Sequence, residues 1–447
     1  MNTQETTGAS SKKSSETNKK SGLNAPLLPF ILITSLFFLW GLAHNLTDTL
    51  LAAFKRIMSL TDFQTSWIQI AFYGSYFSLA IPAAIFIKRF TYQKGVLLGL
   101  GMYAIGGLLF YPASLTMQYG HFLVALYILA GGLTVLETSC NPYIIAMGDE
   151  ETGTQRLNLA QSFNPMGSIT GVILSKFYIL SQLNLSSAKE RGNMSAQALN
   201  NIQEAELDAV MGPYVAVGFG LLVLWLIIYK TKMPEGSTES NKIDFWPTVK
   251  RLVKNKNYMF GVLAQFAYVG AQICVWSFII RYVMEELNII EATASTYYII
   301  SLVVFTLFRF INTTLMKYIK PATLLISSSL LAILSTFFVI TGSGYFGVIA
   351  LIAISGFMSL MFPTIFGLAS KGLGKDTKMG SSGLIMGIGG GAAFPAIMGL
   401  ISDYTGSIHF AYWVPLACFI IVMLFGIYNR KVGDQLVSST SASVTQA

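Results

Sequence analysis

Two carboxylates lie where a charged group is costly, well inside long apolar segments of the chain. Of the 21 acidic residues, only Asp48 and Glu137 are placed this way. A carboxylate at membrane depth is expensive, so each must face a cavity or a partner. Because a carboxyl group in a dry cavity can bind and release a proton near neutral pH, we predict that Asp48 and Glu137 form a pair for proton coupling and substrate binding. The alternative is a structural pair that Arg309 or Lys176 neutralises.

Two further ionisable residues, Arg309 and His44, also lie inside apolar segments. Arg309 is the chief cation inside an apolar segment, and it could pair with a carboxylate or donate to helix carbonyls. We therefore give Arg309 a possible role in gating or charge pairing. Trp40, His44 and Asp48 recur every four residues and so lie on one helix face. His44 could carry a proton or could simply hydrogen-bond to its neighbours.

Uncharged polar residues form two further clusters. Gln265, Tyr268, Gln272 and Trp276 follow helical spacing along one apolar segment. Gln161 and Asn164 lie close together just before and after Ser162 in another. Amides can bridge sugar hydroxyls as donor and acceptor, and an aromatic face can stack on a sugar ring, so both clusters are candidates for sugar binding. Polar contacts between helices are the alternative interpretation.

The composition determines which elements must carry these residues. Hydrophobic residues make up 53% of the 447 residues, and Asp, Glu, Lys and Arg make up 11%, against about 25% in an average soluble domain. This balance excludes an ordinary soluble enzyme, a disordered protein and a secreted disulfide scaffold. The apolar runs are about 20 residues long, which is enough to cross a bilayer as a helix. We predict an all-α polytopic membrane protein with twelve transmembrane spans.

The spans divide into two six-helix halves, as in transporters built from repeats. We predict a disordered cytoplasmic tail over residues 1–27 and a first half over 28–229. A cytoplasmic linker over 230–257 leads to a second half over 258–428 and a cytoplasmic C-terminal tail over 429–447. Span five is expected near 156–183, span ten near 345–369 and span eleven near 380–402.

Charge placement predicts the orientation. With the N-terminus inside, most of the 29 Lys and Arg residues lie on the cytoplasmic side, as the positive-inside rule requires. The net charge of +8 is thus concentrated in membrane-flanking loops, and we expect no nucleic-acid partner. The glycine-rich run 387–391 is expected to allow close helix packing or to form a flexible point. The sequence contains no Walker-type loop or zinc-ligand spacing, so we expect no cofactor and no metal.

The sequence resembles the major facilitator superfamily, and within it the fucose–proton symporter family. The resemblance covers about 28–428. It is carried by Phe37-Phe38-Leu39-Trp40-Gly41 with Asn45-Leu46 and Asp48, by Leu136-Glu137-Thr138 with Asn141-Pro142, by the run 156–164, by Tyr268-Val269-Gly270-Ala271-Gln272 with Trp276-Ser277, by Pro363-Thr364-Ile365-Phe366, and by Asp376-Thr377-Lys378.

This resemblance implies that Asp48 and Glu137 are the protonatable pair, that Asn45, Gln161 and Asn164 contact sugar, and that Trp40 and Trp276 lie near the cavity. We expect L-fucose uptake driven by H⁺ through alternating access, in a functional monomer embedded in the inner-membrane bilayer of a bacterial cell. His44 and Thr47 depart from the fucose pattern, which has Asn at both positions. A sodium-coupled or facilitative carrier of another hexose (glucose/galactose or N-acetylglucosamine) is therefore the alternative. A membrane-embedded enzyme or sugar sensor is a remote one.

Overall fold

Every regular element in the described part of the chain is a helix. The computed structural model describes residues 25–57, 62–116, 118–175, 177, 190–191, 193–234 and 244–445. Within these ranges, ten helical stretches are long and apolar enough to cross a membrane. The shorter apolar stretch Leu27–Ala43 and a broken helix over residues 150–174 bring the number to the predicted twelve. The chain is a multi-pass membrane protein, as predicted.

The first half contains spans one to six, and its helices run alternately up and down. The helix bounds in chain order are Leu27–Ile57, Asp62–Arg89, Tyr92–Thr116, Tyr119–Ala146, Glu150–Gln161 with Phe163–Leu174, and Ala196–Lys230. The predicted tail over 1–27 lies almost entirely outside the described residues, because the first of these begins at Ala25.

The second half contains spans seven to twelve. Its helix bounds are Lys256–Leu287, Glu291–Leu315, Pro321–Thr341, Gly344–Met358 with Met361–Ser370, Thr377–Met386 with Gly390–Thr405, and Ile408–Ala411 with Trp413–Thr445. The last helix continues beyond residue 428, through most of the segment predicted as the C-terminal tail.

Spans five, ten and eleven are broken, although the sequence predicts them as continuous. Span five is interrupted at Ser162 and span ten between Met358 and Met361. A proline follows each break within four residues, and proline cannot donate the backbone hydrogen bond that would continue the helix. In span eleven the break is a 3₁₀ turn over Gly387–Gly389. Here Gly390 lies so close to the Phe266 carbonyl oxygen of span seven that a Cβ would overlap it, which confirms the expected close packing.

A short helix, Phe245–Lys254, crosses the linker and is called the linker helix below. Its Thr248 hydroxyl accepts hydrogen bonds from Lys88 Nζ (3.4 Å) and from Arg251 Nη2 (2.9 Å). Arg251 in turn forms a bidentate ion pair with Asp376, with both N–O distances at 2.7 Å. Lys88 belongs to the first half and Asp376 to the second, so the linker helix contacts both halves.

Spans one and five approach each other closely through glycine. A Cβ on Gly41 would overlap the Asn164 carbonyl oxygen, and a Cβ on Gly167 would overlap the Phe38 carbonyl oxygen. Without side chains at these two positions the helix backbones come into direct contact. The same contact sets where Asn164 sits relative to span one.

Candidate functional site

A cavity of about 690 Å³ lies between the two halves. Spans one, two, four and five line it from the first half, and spans seven, eight, ten and eleven from the second. Among the predicted site residues, its lining includes Trp40, Asn45, Glu137, Gln161, Asn164, Gln272, Trp276 and Arg309. Predicted residues from five different spans therefore line one cavity.

The cavity is closed on the side where the linker lies, called the linker end below. Between cavity and linker end, Asn158 Nδ2 donates to Thr364 Oγ1 (3.2 Å), and Gln155 Nε2 donates to the Thr313 carbonyl (3.3 Å). Each of these bonds joins the first half to the second. Further hydrogen bonds also join the halves directly on this side of the cavity.

Glu137 is buried at the cavity wall, with 2% of its surface exposed. The Tyr76 hydroxyl donates to Glu137 Oε1 at 2.9 Å, whereas Oε2 has no hydrogen-bond partner. Among the ion pairs of the described residues, none includes Glu137. One carboxylate oxygen is thus held by the protein and the other can take a proton or a ligand hydroxyl.

Two amides of span five line the same cavity as Glu137. Gln161 Nε2 donates to Asn141 Oδ1 at 2.8 Å, which leaves Asn141 Nδ2 buried without a partner. Asn164 Nδ2 donates to the Phe37 carbonyl at 3.3 Å, a contact that the close approach of spans one and five allows. Each amide retains an oxygen that can accept from a ligand hydroxyl.

Two indoles line the cavity, one from each half. Trp40 stacks on Phe37 with ring centroids 5.8 Å apart. Trp276 donates from Nε1 to Ser355 Oγ (3.3 Å) and meets Phe305 edge to face at 5.0 Å. These contacts fix both indoles against their own half of the protein and leave part of each ring at the cavity.

Arg309 is 4% exposed and donates to two backbone carbonyls. Its Nε lies 2.6 Å from the Ser359 oxygen and its Nη1 lies 3.0 Å from the Gln161 oxygen, while the guanidinium also lies 4.7 Å from the Phe305 ring centroid. The sequence left open whether Arg309 pairs with a carboxylate or donates to helix carbonyls. In the structure it donates to helix carbonyls. Within the described residues no ion pair includes Arg309.

Two predicted residues of span seven do not line the cavity. Gln265 and Tyr268 are fully buried, and their amide and hydroxyl groups have no hydrogen-bond partner. The Tyr268 ring packs against Phe362, centroids 6.4 Å apart. The polar face of span seven therefore continues past the cavity toward the linker end, and only Gln272 and Trp276 reach the cavity itself.

The side chains of His44 and Asp48 lie outside the described residues, so the structure does not test their predicted roles. Seven tyrosine and phenylalanine residues of the lining were not predicted as site residues: Phe37, Phe72, Tyr73, Tyr76, Tyr298, Phe305 and Phe362. Aromatic residues are frequent in apolar spans, and nothing in the local sequence separates those that face a cavity from those that face lipid. Only Tyr76 had a possible signal, since a buried carboxylate needs a donor on a neighbouring helix.

The chain matches the Major Facilitator Superfamily over residues 30–388. It is 42% identical to the L-fucose-proton symporter of Haemophilus influenzae, over 91% of this chain and 97% of that protein. The L-fucose-proton symporter of Escherichia coli is 39% identical, over 91% of this chain and 94% of that protein. A glucose/galactose transporter of Brucella abortus is 32% identical, over 89% and 93%.

The fold matches solved transporters. A crystal structure of the transporter FucP in the outward conformation superposes with a TM-score of 0.86 at 39% identity, covering 90% of this chain and 99% of that one. The proton:xylose symporter XylE, at 12% identity and a TM-score of 0.64, shares the fold alone. The expectation of a transporter instead of an enzyme is confirmed by these relatives. With the profile matched over residues 30–388 and the fold shared along most of its length, the chain belongs to the Major Facilitator Superfamily.

Proposed function

We propose that this transporter is a sugar–proton symporter that takes up L-fucose by alternating access. The observation that carries the proposal is Glu137, a buried carboxylate with one oxygen unpartnered, in a cavity lined by amides and indoles. A dry carboxylate is a natural proton carrier, and amides with aromatic faces are the groups that recognise sugars. The names of the relatives at 42% and 39% identity point the same way.

The proposed cycle begins with the cavity closed at the linker end. Protonation of Glu137 or Asp48 removes a buried charge and favours sugar binding. Gln161, Asn164 and Asn45 bind the sugar hydroxyls, and the indoles pack on the ring. Closure of the opposite end and opening of the linker end then release the sugar first and the proton afterwards. The role of Asp48 rests on its sequence position alone.

Gln272 and Trp276 extend the proposed sugar site to the second half. Gln265 and Tyr268 are further along the same face of span seven, and their unpartnered polar groups would meet the sugar only once the linker end has opened. We keep them as proposed contacts of the exit path. A site that uses both halves is what alternating access requires, because the sugar must draw the halves together.

A carrier of another hexose is the second candidate. It is favoured by the relative named as a glucose/galactose transporter at 32% identity. His44 and Thr47 lie within two positions of Asn45 in the sequence and differ from the fucose pattern, so they are the positions at which sugar preference would change. Sodium coupling belongs to this second candidate.

The orientation and organisation of the chain are part of the proposal. The linker, both termini and most of the basic loops lie on the cytoplasmic side of a bacterial inner membrane. The halves extend over 28–229 and 258–428, the linker over 230–257, and the protein works as a monomer with H⁺ as the coupling ion.

The deciding experiment is uptake of labelled L-fucose by proteoliposomes under an imposed pH gradient. We expect accumulation that collapses with the proton gradient and does not respond to a sodium gradient. The double variant Glu137→Gln, Asp48→Asn should retain exchange of labelled for unlabelled sugar but lose uphill accumulation. Uphill accumulation by the double variant would exclude the proposed coupling pair. Absence of L-fucose uptake, together with uptake of labelled glucose, would favour the second candidate.

A further inference from the structure

Two prolines leave two backbone carbonyls without a helical partner. In a helix the carbonyl of residue i accepts from the N–H of residue i+4, and proline has no N–H. Pro165 in span five therefore cannot bond to the Gln161 carbonyl. Pro363 in span ten cannot bond to the Ser359 carbonyl. The first carbonyl belongs to the first half of the protein and the second to the other half.

Arg309 donates to both of these carbonyls. Its Nη1 reaches the Gln161 oxygen at 3.0 Å across the boundary between the halves, and its Nε reaches the Ser359 oxygen at 2.6 Å within its own half. A planar guanidinium can hold two acceptors at once because its donors point in fixed directions. Freed carbonyls at membrane depth need such donors, and here one side chain supplies both.

The same arrangement recurs at a third proline. Pro142 in span four frees the Thr138 carbonyl, and Ser381 Oγ of span eleven lies 3.4 Å from this oxygen. Span four belongs to the first half and span eleven to the second. The Ser381 hydroxyl has one proton and also lies 2.8 Å from the Lys378 carbonyl, so its contact with the freed Thr138 carbonyl is weaker than the bond from Arg309 to Gln161.

We propose that Arg309 is a positioning residue that latches the two halves in the state closed at the linker end. It acts through the Gln161 backbone, to which it binds only while the halves are together. Separation of the halves at this end breaks the bond to Gln161 and leaves a buried acceptor bare until water reaches it. The bond within its own half to Ser359 keeps the guanidinium in place, so that it can bind again when the halves return.

Pro165 gives this latch its strength. In a regular helix the Gln161 carbonyl would already be satisfied by its own span, and a donor from the other half would add little. Because Pro165 removes the internal donor, the closed state gains a whole hydrogen bond with a charged donor, and such a bond changes an equilibrium by about ten-fold or more. The inference rests on the alternating-access motion of the proposed function, and it does not depend on the sugar or on the coupling ion.

The test restores the missing N–H. In Pro165→Ala, span five can satisfy the Gln161 carbonyl itself, and Arg309 loses its advantage there. Nitroxide labels are attached at Lys94→Cys and Lys317→Cys, which are both exposed at the linker end, one in each half. Double electron–electron resonance then measures the distance between the two labels. The described native cysteines, Cys140, Cys274 and Cys418, are buried and leave the labelling selective.

We expect Pro165→Ala to raise the population with long label distances by about ten-fold or more in the absence of sugar. Pro112→Ala, an exposed proline in span three, is the matched control and should leave the distances unchanged. An unchanged distance distribution in a folded Pro165→Ala variant overturns the latch.

Arg309→Lys provides a second, independent variant. One ammonium lacks the fixed fork that holds two carbonyls, so this variant should shift the distances in the same direction as Pro165→Ala. If Pro165→Ala does not fold, Arg309→Lys decides the question by the same criterion. Because the distances are measured without sugar, loss of L-fucose transport would count against the proposed function and leave this test intact.

Discussion

The hydroxyl of Tyr76 and the carboxylate of Glu137 form a hydrogen bond of 2.9 Å between spans two and four, at the wall of the cavity. Both side chains are 2% exposed. The bond satisfies the tyrosine hydroxyl and one carboxylate oxygen, and leaves the second oxygen unpartnered. Tyr76 therefore fixes the direction in which Glu137 presents its reactive oxygen.

Glu137→Gln and Glu137→Leu should differ in stability as well as in transport. The glutamine oxygen can still accept from Tyr76, so we expect an apparent melting temperature close to that of the unmodified protein. Leucine leaves the Tyr76 hydroxyl buried and unpaired, which costs about 1–3 kcal/mol. Thermal unfolding in detergent measures both, and Tyr76→Phe combined with Glu137→Leu should recover part of the loss. Equal melting temperatures for the two single variants would contradict the importance of this bond.

Gly41→Ala should destabilise the protein and weaken sugar binding together. The added methyl group would meet the Asn164 carbonyl and lie about 3.0 Å from the Ser168 nitrogen, so spans one and five must separate. Overpacking of this kind costs about 1–3 kcal/mol, and the separation also moves Asn164. Gly220→Ala is the control, because a Cβ there meets nothing within 4 Å. If both variants bind L-fucose with the affinity of the unmodified protein, the close approach does not position the site.

Trp276→Phe should weaken L-fucose binding without preventing folding. Phenylalanine can keep the edge contact with Phe305, but it loses the hydrogen bond to Ser355 and part of the aromatic surface at the cavity. An aromatic contact of this size contributes about 0.5–1.5 kcal/mol, so we expect Kd to rise about two- to ten-fold by calorimetry. Trp246→Phe makes the same change on the exposed face of the linker helix, 76% exposed, and should leave Kd unchanged. A similar Kd for all three proteins would exclude Trp276 from the sugar site.

Asp376→Asn should loosen the linker helix. The substitution removes the charge that pairs with Arg251 and keeps every trypsin site in the linker. An ion pair with a solvent-exposed partner contributes little, so cleavage in the linker should accelerate by no more than about five-fold. Glu285→Gln, which breaks the half-exposed pair with Arg281, is the matched control. An unchanged cleavage rate for Asp376→Asn would mean that other contacts hold the helix.

Much of the site could be predicted because membranes make polar residues conspicuous. Glu137, Gln161 and Trp276 stand out in apolar spans, and all of them line the cavity. Gln265 and Tyr268 belong to the same helical face as Gln272, yet periodicity gives the direction of a residue and not its depth. Which turns of a helix reach the cavity depends on where the opposite half closes, and that is a long-range property of the fold.

The partner of Arg309 could not be deduced from composition, because a buried guanidinium can bind a carboxylate or carbonyls equally well. The signal was present in another form, since Pro165 and Pro363 each remove the donor to a carbonyl four residues earlier. What the sequence does not contain is the distance between spans five, eight and ten. Tyr76 was missed for the same reason, because 61 positions separate it from Glu137.

The ion pair of the linker helix makes opening at the linker end sensitive to salt. The Arg251 side chain is 40% exposed, so dissolved salt screens its pairing with Asp376, whereas the dry interior around Arg309 is screened much less. Part of the resistance to opening therefore varies with ionic strength on the linker side, and part does not. Raising the salt concentration on the linker side should ease opening at that end, whereas the hydrogen bonds of Arg309 should stay in place.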